Sequence, residues 1–414
     1  MSMGKSGGVS LVAHSGGPTA VLNASLLGVV EEARRHKEIG ALYGAAFGLD
    51  GILRDELVDL FAQPQTVLEA AAEGIASALG TSRLAAGPAE LERALAAMRA
   101  HDVRYFFYTG GNGSMGTARA IEKMALESGY ELQVVGIPKT IDNDLAETDH
   151  TPGYPTTARF FAAAVRDIGE DNRALPGQVE FVETLGRNTG WIVAATVLAR
   201  KDPDDAPHLI YLPDWPLPLE KLLDDIAAVH RRLGRCLVAI CEGQKDEHGG
   251  RFGADGMVAS RGTLAANLGH RLATTVAERL KVKARAEKPG LLARVSGWQR
   301  PRLDWEESKM CGAAAVRAAC EGVSGQMVTI VREPGPVYRS STGLAPFERV
   351  ALHERPFPAE WRSAGGNDVE RGFTDYLLPL TGPLPHYARL VPAAVPKARG
   401  RHTSSRWPDR PASS

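Results

Sequence analysis

Residues 103–144, VRYFFYTGGNGSMGTARAIEKMALESGYELQVVGIPKTIDND, carry the pattern from which the architecture follows. Val103 to Tyr108 reads as a short apolar strand, and a glycine run then turns the chain into a helix near Gly116 to Glu127. Leu132 to Ile137 reads as a second strand, closed by Pro138. Two strands of five or six mostly apolar residues joined through a helix form a βαβ unit, whose parallel strands are covered on both faces. The pattern recurs on either side. Gly8 to Ala13 is a strand that leads through Ser15-Gly16-Gly17-Pro18 into a helix from about Thr19 to Arg35. Val179 to Thr184 and Cys236 to Cys241 repeat it, and Met327 to Val331 is a late strand. Leu219, Leu222, Leu223, Ile226 and Val229 fall at helical spacing and predict one buried stripe. The fold class expected is α/β, with two doubly wound, mainly parallel-sheet domains.

The composition sets outer limits. The chain has 414 residues, enough for two domains of ordinary size. Lys plus Arg is 48 against 49 for Asp plus Glu, so there is no basic excess for nucleic-acid binding. No run approaches the ~18 apolar residues of a membrane span, and no basic-then-apolar leader opens the chain. A cytoplasmic protein without nucleic-acid or membrane partners is expected. The four cysteines (Cys236, Cys241, Cys311, Cys320) have no CxxC spacing, so neither a zinc nor a disulfide framework is expected. Lys201 to Pro218 holds five prolines and four aspartates and reads as a surface connection. From Val391 the chain turns Pro-, Arg- and Ser-rich, and residues 391–414 read as a disordered tail.

Parallel sheets bind ligands beyond the carboxyl ends of their strands, and three such places carry unusual residues. Ser15 to Thr19 lets backbone amides approach a phosphate, or makes a tight strand-to-helix turn. Gly4-Lys5-Ser6 is no Walker loop, since the upstream glycine and the strand are missing. Gly111, Gly113 and Gly116 spell GxGxxG, but the next strand ends in Pro138-Lys139 without the acidic residue that would hold a ribose. A phosphate cradle fits better than a dinucleotide site. Pro138 to Asp144 sets two carboxylates beside a lysine and a threonine. Phosphoryl transfer needs such a set: a base for an alcohol proton, a carboxylate for Mg²⁺ and cations for the phosphate charge. His150 and His208 lack metal-ligand spacing and read as structural or surface residues. Trp191 and Trp298 read as packing residues, and Asp202 to Asp205 as a solvated loop.

With these residues in view the chain resembles the phosphofructokinases, more narrowly their pyrophosphate-dependent branch. The likeness rests on SGGPTAVLNAS at Ser15 to Ser25, LGTSR at Leu79 to Arg83, GGNGS at Gly110 to Ser114 and PKTIDND at Pro138 to Asp144. It continues through TDHTPGY at Thr148 to Tyr154, LGRNTGW at Leu185 to Trp191, Glu242-Gly243 and KARAEKPG at Lys283 to Gly290, leading to Arg294. It runs in order from about residue 8 to 332.

The resemblance implies a phosphotransferase in which Asp142 takes the proton of a sugar 1-hydroxyl, with Lys139, Thr140 and Arg187 also in the catalytic set. Gly17, Arg83, Gly111, Asn112, Gly113 and Ser114 would bind the donor. Thr140, Asp142, Leu185, Gly186, Arg187, Glu242, Arg285 and Arg294 would bind a ketose 6-phosphate. Arg285 and Arg294 would grip its 6-phosphate, one of them from a neighbouring subunit, which implies a homodimer or homotetramer with a shared acceptor site. Asp144 would lie at Mg²⁺, with Asn112 the weaker second ligand. The larger, donor-binding domain would hold residues 1–153 and about 294–350, and the smaller, acceptor-binding domain residues 154–293 and about 351–390.

Departures from the family pattern sharpen the expectation. Gly113 stands where pyrophosphate users have Asp and leaves room for an ATP α-phosphate, whereas Lys139 stands where pyrophosphate users have lysine. ATP is the expected donor and pyrophosphate the alternative, with transfer to fructose 6-phosphate or a related ketose phosphate. Asn112 in place of a carboxylate predicts weak or altered metal dependence. Gln178, where many members carry a basic residue, together with Leu185, Leu291 and Ala293, leaves room for a different phosphorylated sugar. A non-catalytic sugar-phosphate or nucleotide-binding regulator is the reading from another functional class.

Overall fold

Eleven strands build two sheets among the described residues of the computed structural model, which are 7–250, 252 and 267–390. They are β1 (Gly8–His14), β2 (Ile39–Ala45), β3 (Leu57–Asp59), β4 (Val103–Gly110), β5 (Gln133–Pro138) and β6 (Gln178–Thr184). After these come β7 (Leu209–Tyr211), β8 (Cys236–Cys241), β9 (Lys283–Glu287), β10 (Gln326–Arg332) and β11 (Ser340–Pro346). The first sheet runs β11-β10-β5-β4-β1-β2-β3, with five parallel strands between antiparallel edges β11 and β3. The second runs β7-β8-β6-β9, parallel throughout. All of this lies in one unit that ends at Leu384, and the segment from Pro385 forms a separate unit.

The apolar-rich sequences of the central strands follow from burial on both faces. Val12, Phe107, Val135 and Ile137 point into one core layer, together with Leu26, Val30, Cys311 and Ala315 from the helices Leu22–Ala33 and Arg302–Cys320. Leu11, Ala13, Phe106, Tyr108 and Val134 point into the opposite layer, against Leu91, Leu95, Met115 and Ile121 of the helices Pro88–Ala100 and Asn112–Glu127. The period of two thus assigns alternate residues to different helix pairs. The helices Leu22–Ala33 and Arg302–Cys320 approach so closely that a Cβ on Gly28 would lie 2.0 Å from the Lys309 carbonyl oxygen. One on Gly312 would lie 2.0 Å from that of Ser25. The helix Leu219–Leu233 spans the expected residues and buries Leu222, Leu223 and Ile226 against the second sheet.

Several expectations need correction. The GxGxxG segment is not a loop before a helix at Gly116, because the helix Asn112–Glu127 starts directly after β4 and Gly111. Gly113 and Gly116 therefore sit in the first turns of that helix, whose amides face the strand ends. Lys201 to Pro218 is more than a surface connection, since it contains β7, and Leu209, Ile210, Tyr211 and Leu217 are buried. Asp205 in the same stretch is buried and accepts hydrogen bonds from the amides of Lys201 and Asp202, so that acidic run is only partly solvated. Strands β2, β9 and β11 are also absent from the periodicity reading. Gly40 and Gly44 interrupt β2, and alternating charges mask β9, whose sequence is KARAE.

His150 is fully buried between Asp149 and Glu307, a structural residue as expected. Trp191 is the hub of an aromatic cluster with Tyr154, Phe357, Trp361, Phe373 and Tyr376, but Trp298 lies on the surface rather than packed in the core, in a T-shaped contact with Phe160. All four cysteines are free thiols. Among the described residues no helix is long and apolar enough to cross a membrane. Gly4-Lys5-Ser6 and the tail 391–414 lie outside the described residues.

Candidate active site

The carboxyl ends of β1, β4, β5, β6 and β8 each release one of the segments singled out by sequence. β1 ends at His14 and continues into Ser15 to Pro18, and β4 ends at Gly110 before the amides of the helix Asn112–Glu127. β5 ends at Pro138 and passes directly to Lys139, whose amide is held by the Gly110 carbonyl at 3.0 Å. From the second sheet, β6 leads into Leu185 to Thr189 and β8 into Glu242-Gly243, where the Glu242 amide is bonded to the Thr184 carbonyl at 2.9 Å.

Lys139 is buried, with Nζ donating at 2.8 Å to the carbonyl oxygens of both Ser15 and Gly17. Burial first, and then the Arg294 guanidinium, pulls its pKa down to about 7, with Arg83 acting in the same direction. Gly17 is the floor of this cationic corner: a Cβ there would come within 2.8 Å of an Arg294 nitrogen and 3.3 Å of one of Arg83. Beneath it, buried His14 bonds Ser77 Oγ at 2.9 Å. Its pKa is driven down to about 3, by burial and then by the Lys139 charge, so the imidazole is neutral. Nothing in the sequence pattern marks His14 beyond its place at a strand end.

The carboxylates stand against this corner. Asp142 is pushed up to about 7, by burial first and then by Asp144, with Glu242 adding to the rise and Arg187 and Lys139 opposing it. Its amide donates to Thr140 Oγ1 at 3.1 Å, and its carbonyl accepts from Thr189 Oγ1 at 3.3 Å. Asp144 is raised by burial, with Glu354 contributing, against hydrogen bonds from Thr140 and Asn112. Asn112 Nδ2 donates to Asp144 Oδ2 at 3.1 Å, while Asn112 Oδ1 and Asp144 Oδ1 are buried without a hydrogen-bond partner. Two orphaned hard oxygens from neighbouring side chains suit a small divalent cation, so this pair fits Mg²⁺.

The loop holding Asp142 is fixed by residues that the sequence reading passed over. Asn143 is fully buried at a left-handed φ of 57°, and its Oδ1 accepts the Thr151 amide at 3.0 Å. Arg355 caps the Asn143 carbonyl with Nε at 3.2 Å and Nη2 at 3.0 Å. Its Nη1 donates at 2.6 Å to the carbonyls of Thr148 and Asp149, and its guanidinium stacks 4.3 Å from the Trp191 ring centroid. Arg355 belongs to no motif, and only the tertiary approach of its segment to the loop reveals it. Asn143 carries a weak signal, because Asn is among the few residues that tolerate this backbone region.

Arg187 also stands at a positive φ, 49°, and its carbonyl oxygen lies where a Cβ on Gly243 would come within 1.4 Å. That contact explains glycine after Glu242. Cys241 Sγ lies 3.5 Å from the carbonyl oxygen of Leu185, and Gly186 follows at φ 128°. The charge environment of Lys139 and Asp142 joins Arg83, Asp144, Arg187, Glu242 and Arg294 into one cluster, with Thr140 beside it. Gly111 approaches Lys139 and Thr140, and a Cβ on Gly110 would strike Ser114 Oγ at 2.0 Å, so Ser114 is tucked under the strand end. Gly113 faces open space, with nothing within 4 Å of a Cβ built there. Arg285 stands apart, on β9, with Nε 3.9 Å from Glu180 and its side chain 60% exposed. The two arginines expected to act as a pair thus occupy different settings, Arg294 in the cationic corner and Arg285 on the second sheet.

Comparison with known proteins agrees with this fold. The family pattern described as phosphofructokinase matches residues 10–319. The chain is 37% identical over 406 residues to a pyrophosphate–fructose 6-phosphate 1-phosphotransferase of Rhodospirillum rubrum, covering 95% of this chain and 99% of the relative. It is 36% identical over 408 residues to the enzyme of that name from Xanthomonas campestris pv. campestris, covering 94% and 97%. The crystal structure of a pyrophosphate-dependent phosphofructokinase from Marinobacter aquaeolei superposes with a TM-score of 0.82 at 32% identity, covering 94% of each chain. The ATP preference expected from Gly113 finds no support in these relatives. With the motifs at the strand ends, the two-sheet fold and full-length relatives in agreement, the chain belongs to the phosphofructokinase family.

Proposed function

We propose that this phosphotransferase moves a phosphoryl group from pyrophosphate to the 1-hydroxyl of fructose 6-phosphate, with Asp142 as the base. The observation that carries the proposal is the convergence of a raised carboxyl, Asp142, with Lys139, Arg83, Arg187 and Arg294 at the strand ends. Similarity over nearly the whole length to two enzymes named for this reaction supports the donor, as does Lys139.

The chemistry needs little from the protein beyond position and charge. Asp142, with its pKa near neutral, accepts the proton of the sugar hydroxyl as the hydroxyl oxygen bonds to the transferred phosphorus. The bridging P–O bond breaks, and its electron pair leaves with the departing phosphate. Lys139 and Arg83 balance the charge of the donor, Arg294, expected at the acceptor's 6-phosphate, adds its charge in the same corner, and Arg187 steadies the group in flight. Asn112 and Asp144 would hold Mg²⁺, which supplies charge neutralisation on the phosphate oxygens when bound. Gly17, Gly111 and Ser114 set the floor of the donor pocket. Thr140, Leu185, Gly186 and Glu242 face the sugar. In this assignment the seven-stranded sheet carries the donor half and the four-stranded sheet the acceptor half. Arg285, exposed on β9, completes the acceptor site of a second copy in a homodimer or homotetramer.

One observation favours ATP as a second reading: the open space at Gly113 offers no obstacle to an α-phosphate. Phosphorus NMR of the purified protein with Mg²⁺ and fructose 6-phosphate, given pyrophosphate in one sample and ATP in another, separates the two. A 1,6-bisphosphate signal with pyrophosphate alone is expected. A signal with ATP alone would reverse the donor, and silence in both would overturn the proposal.

A further inference from the structure

At the amino end of the first sheet, opposite the catalytic loops, three side chains that share no sequence motif meet. His36 and Glu38 lie in the short connection between the helix Leu22–Ala33 and β2, and Cys320 is the last residue of the helix Arg302–Cys320. One ligand atom from each lies within 4.8 Å of the other two. His36 Nδ1 is 3.8 Å from Glu38 Oε2, close to the roughly 3.3–3.7 Å edge of a tetrahedron with ordinary zinc bond lengths. The other ring nitrogen, Nε2, is 3.4 Å from Oε1 of the buried Glu32. A carboxylate on one imidazole nitrogen leaves the other with its lone pair toward the cluster, the usual arrangement behind a metal-bound histidine.

The backbone holds these groups in place. Glu38 O accepts the Gly8 amide at 2.8 Å and His36 O accepts the Ile39 amide at 3.2 Å, so both residues are tied to the start of the sheet. The glycine contacts at Gly28 and Gly312 fix the two helices and hence the height of Cys320 above His36. A cavity of about 500 Å³, lined by Gly7, Arg34, His36, Lys37, Ile39, Gly40 and Phe61, reaches His36 from solvent. Arg34 is spent on Gln65, Phe61 and Gln63, and Glu32 also pairs with Arg35 and Arg317, which leaves Glu38 to offset the incoming charge.

We propose that His36, Glu38 and Cys320 form a zinc site whose fourth position is left to a water molecule. Thiolate, imidazole and carboxylate together suit Zn²⁺ over Mg²⁺ or Ca²⁺, and binding releases the thiol proton to solvent. The missing CxxC spacing excludes only a site built from one segment, whereas here the ligands come from two elements nearly three hundred residues apart. The metal would clamp the end of the helix Arg302–Cys320 to the start of β2.

The test uses the full chain, stripped with a chelator and titrated with Co²⁺ and then Zn²⁺ without substrates. The expected result is one equivalent of Co²⁺ with a thiolate-to-cobalt charge-transfer band and tetrahedral d–d intensity, all displaced by Zn²⁺. Cys320→Ser should abolish the charge-transfer band while circular dichroism stays native. Glu32→Gln, which keeps every ligand, should weaken Zn²⁺ roughly 10–100-fold. No charge-transfer band in the parent chain, or one that persists in Cys320→Ser, would overturn the site. The readout is independent of phosphoryl transfer.

Discussion

Asp142→Asn offers a measurement in which stability and activity should move in opposite directions. The Asp142 carboxyl is buried and raised from 3.8 to about 7, so above neutral pH the folded state holds a charge that the unfolded chain carries more easily. At ~1.4 kcal/mol per pH decade that difference costs the native state about 4 kcal/mol once both states are ionised, part of it shared with Asp144. The sign is definite: the penalty is absent below pH 3.8, where both states are protonated, and grows as pH rises to about 7. Asparagine keeps the shape and removes the charge. Urea unfolding of both proteins should therefore show the variant more stable at pH 8 by about 2–4 kcal/mol, with the gap shrinking by about 1–3 kcal/mol at pH 5. Turnover in a coupled assay should meanwhile fall by about 10²–10⁴, the usual worth of a general base. A gap that does not change between pH 5 and 8, or turnover within tenfold of the parent, would refute the assignment of Asp142 as a strained, buried base.

Other perturbations address the donor, the loop and the core. Gly113→Asp should fold as well as the parent or better, since its Cβ meets nothing and the helix N-terminus favours a carboxylate by about 0.3–1 kcal/mol; initial rates should show pyrophosphate turnover retained and any ATP turnover lost. Lys139 loses its charge above about pH 7, so KM for the donor should rise from pH 6.5 to 9, a trend that kinetics on Lys139→Gln should find flattened. Arg355→Ala leaves the carbonyls of Asn143, Thr148 and Asp149 without their guanidinium, and should cost about 2–4 kcal/mol by denaturant unfolding and lower kcat more than it raises KM. Gly28→Ala must separate two helices whose backbones leave 2.0 Å for the new carbon, and should lose about 1–3 kcal/mol in thermal or urea unfolding.

The strands legible in the sequence share a simple property: each of β1, β4, β5, β6, β8 and β10 is buried along much of its length and so is rich in apolar residues, although β6 also buries Glu180 and Glu183. The other strands lack that property or are too short to show it. β2 is interrupted by glycines needed for close packing, β9 carries alternating charges at an edge, and β7 is three residues long among prolines. The sequence pattern puts the start of this helix four residues late, at Gly116 rather than Asn112, because glycines discourage helix in isolation while the strand end and Gly111 impose it here.

For the site, local sequence was enough to name the segments, since a strand end followed by a phosphate-suited turn is a one-dimensional pattern. Asp142, Asp144 and Lys139 are legible in that way, whereas Arg187 and Glu242 enter only through the family resemblance. Their energetics were not. The raised carboxyl, the lowered lysine and the neutral His14 come from burial and from charges on other elements, and neither quantity exists along the chain. The same holds for Arg355, for the separate settings of Arg285 and Arg294, and for the meeting of His36 with Cys320. Residue type and spacing are inherited from the chain. Proximity, desolvation and field arise only when distant segments pack, because Coulombic and hydrogen-bond energies depend on distance in space rather than on separation in sequence.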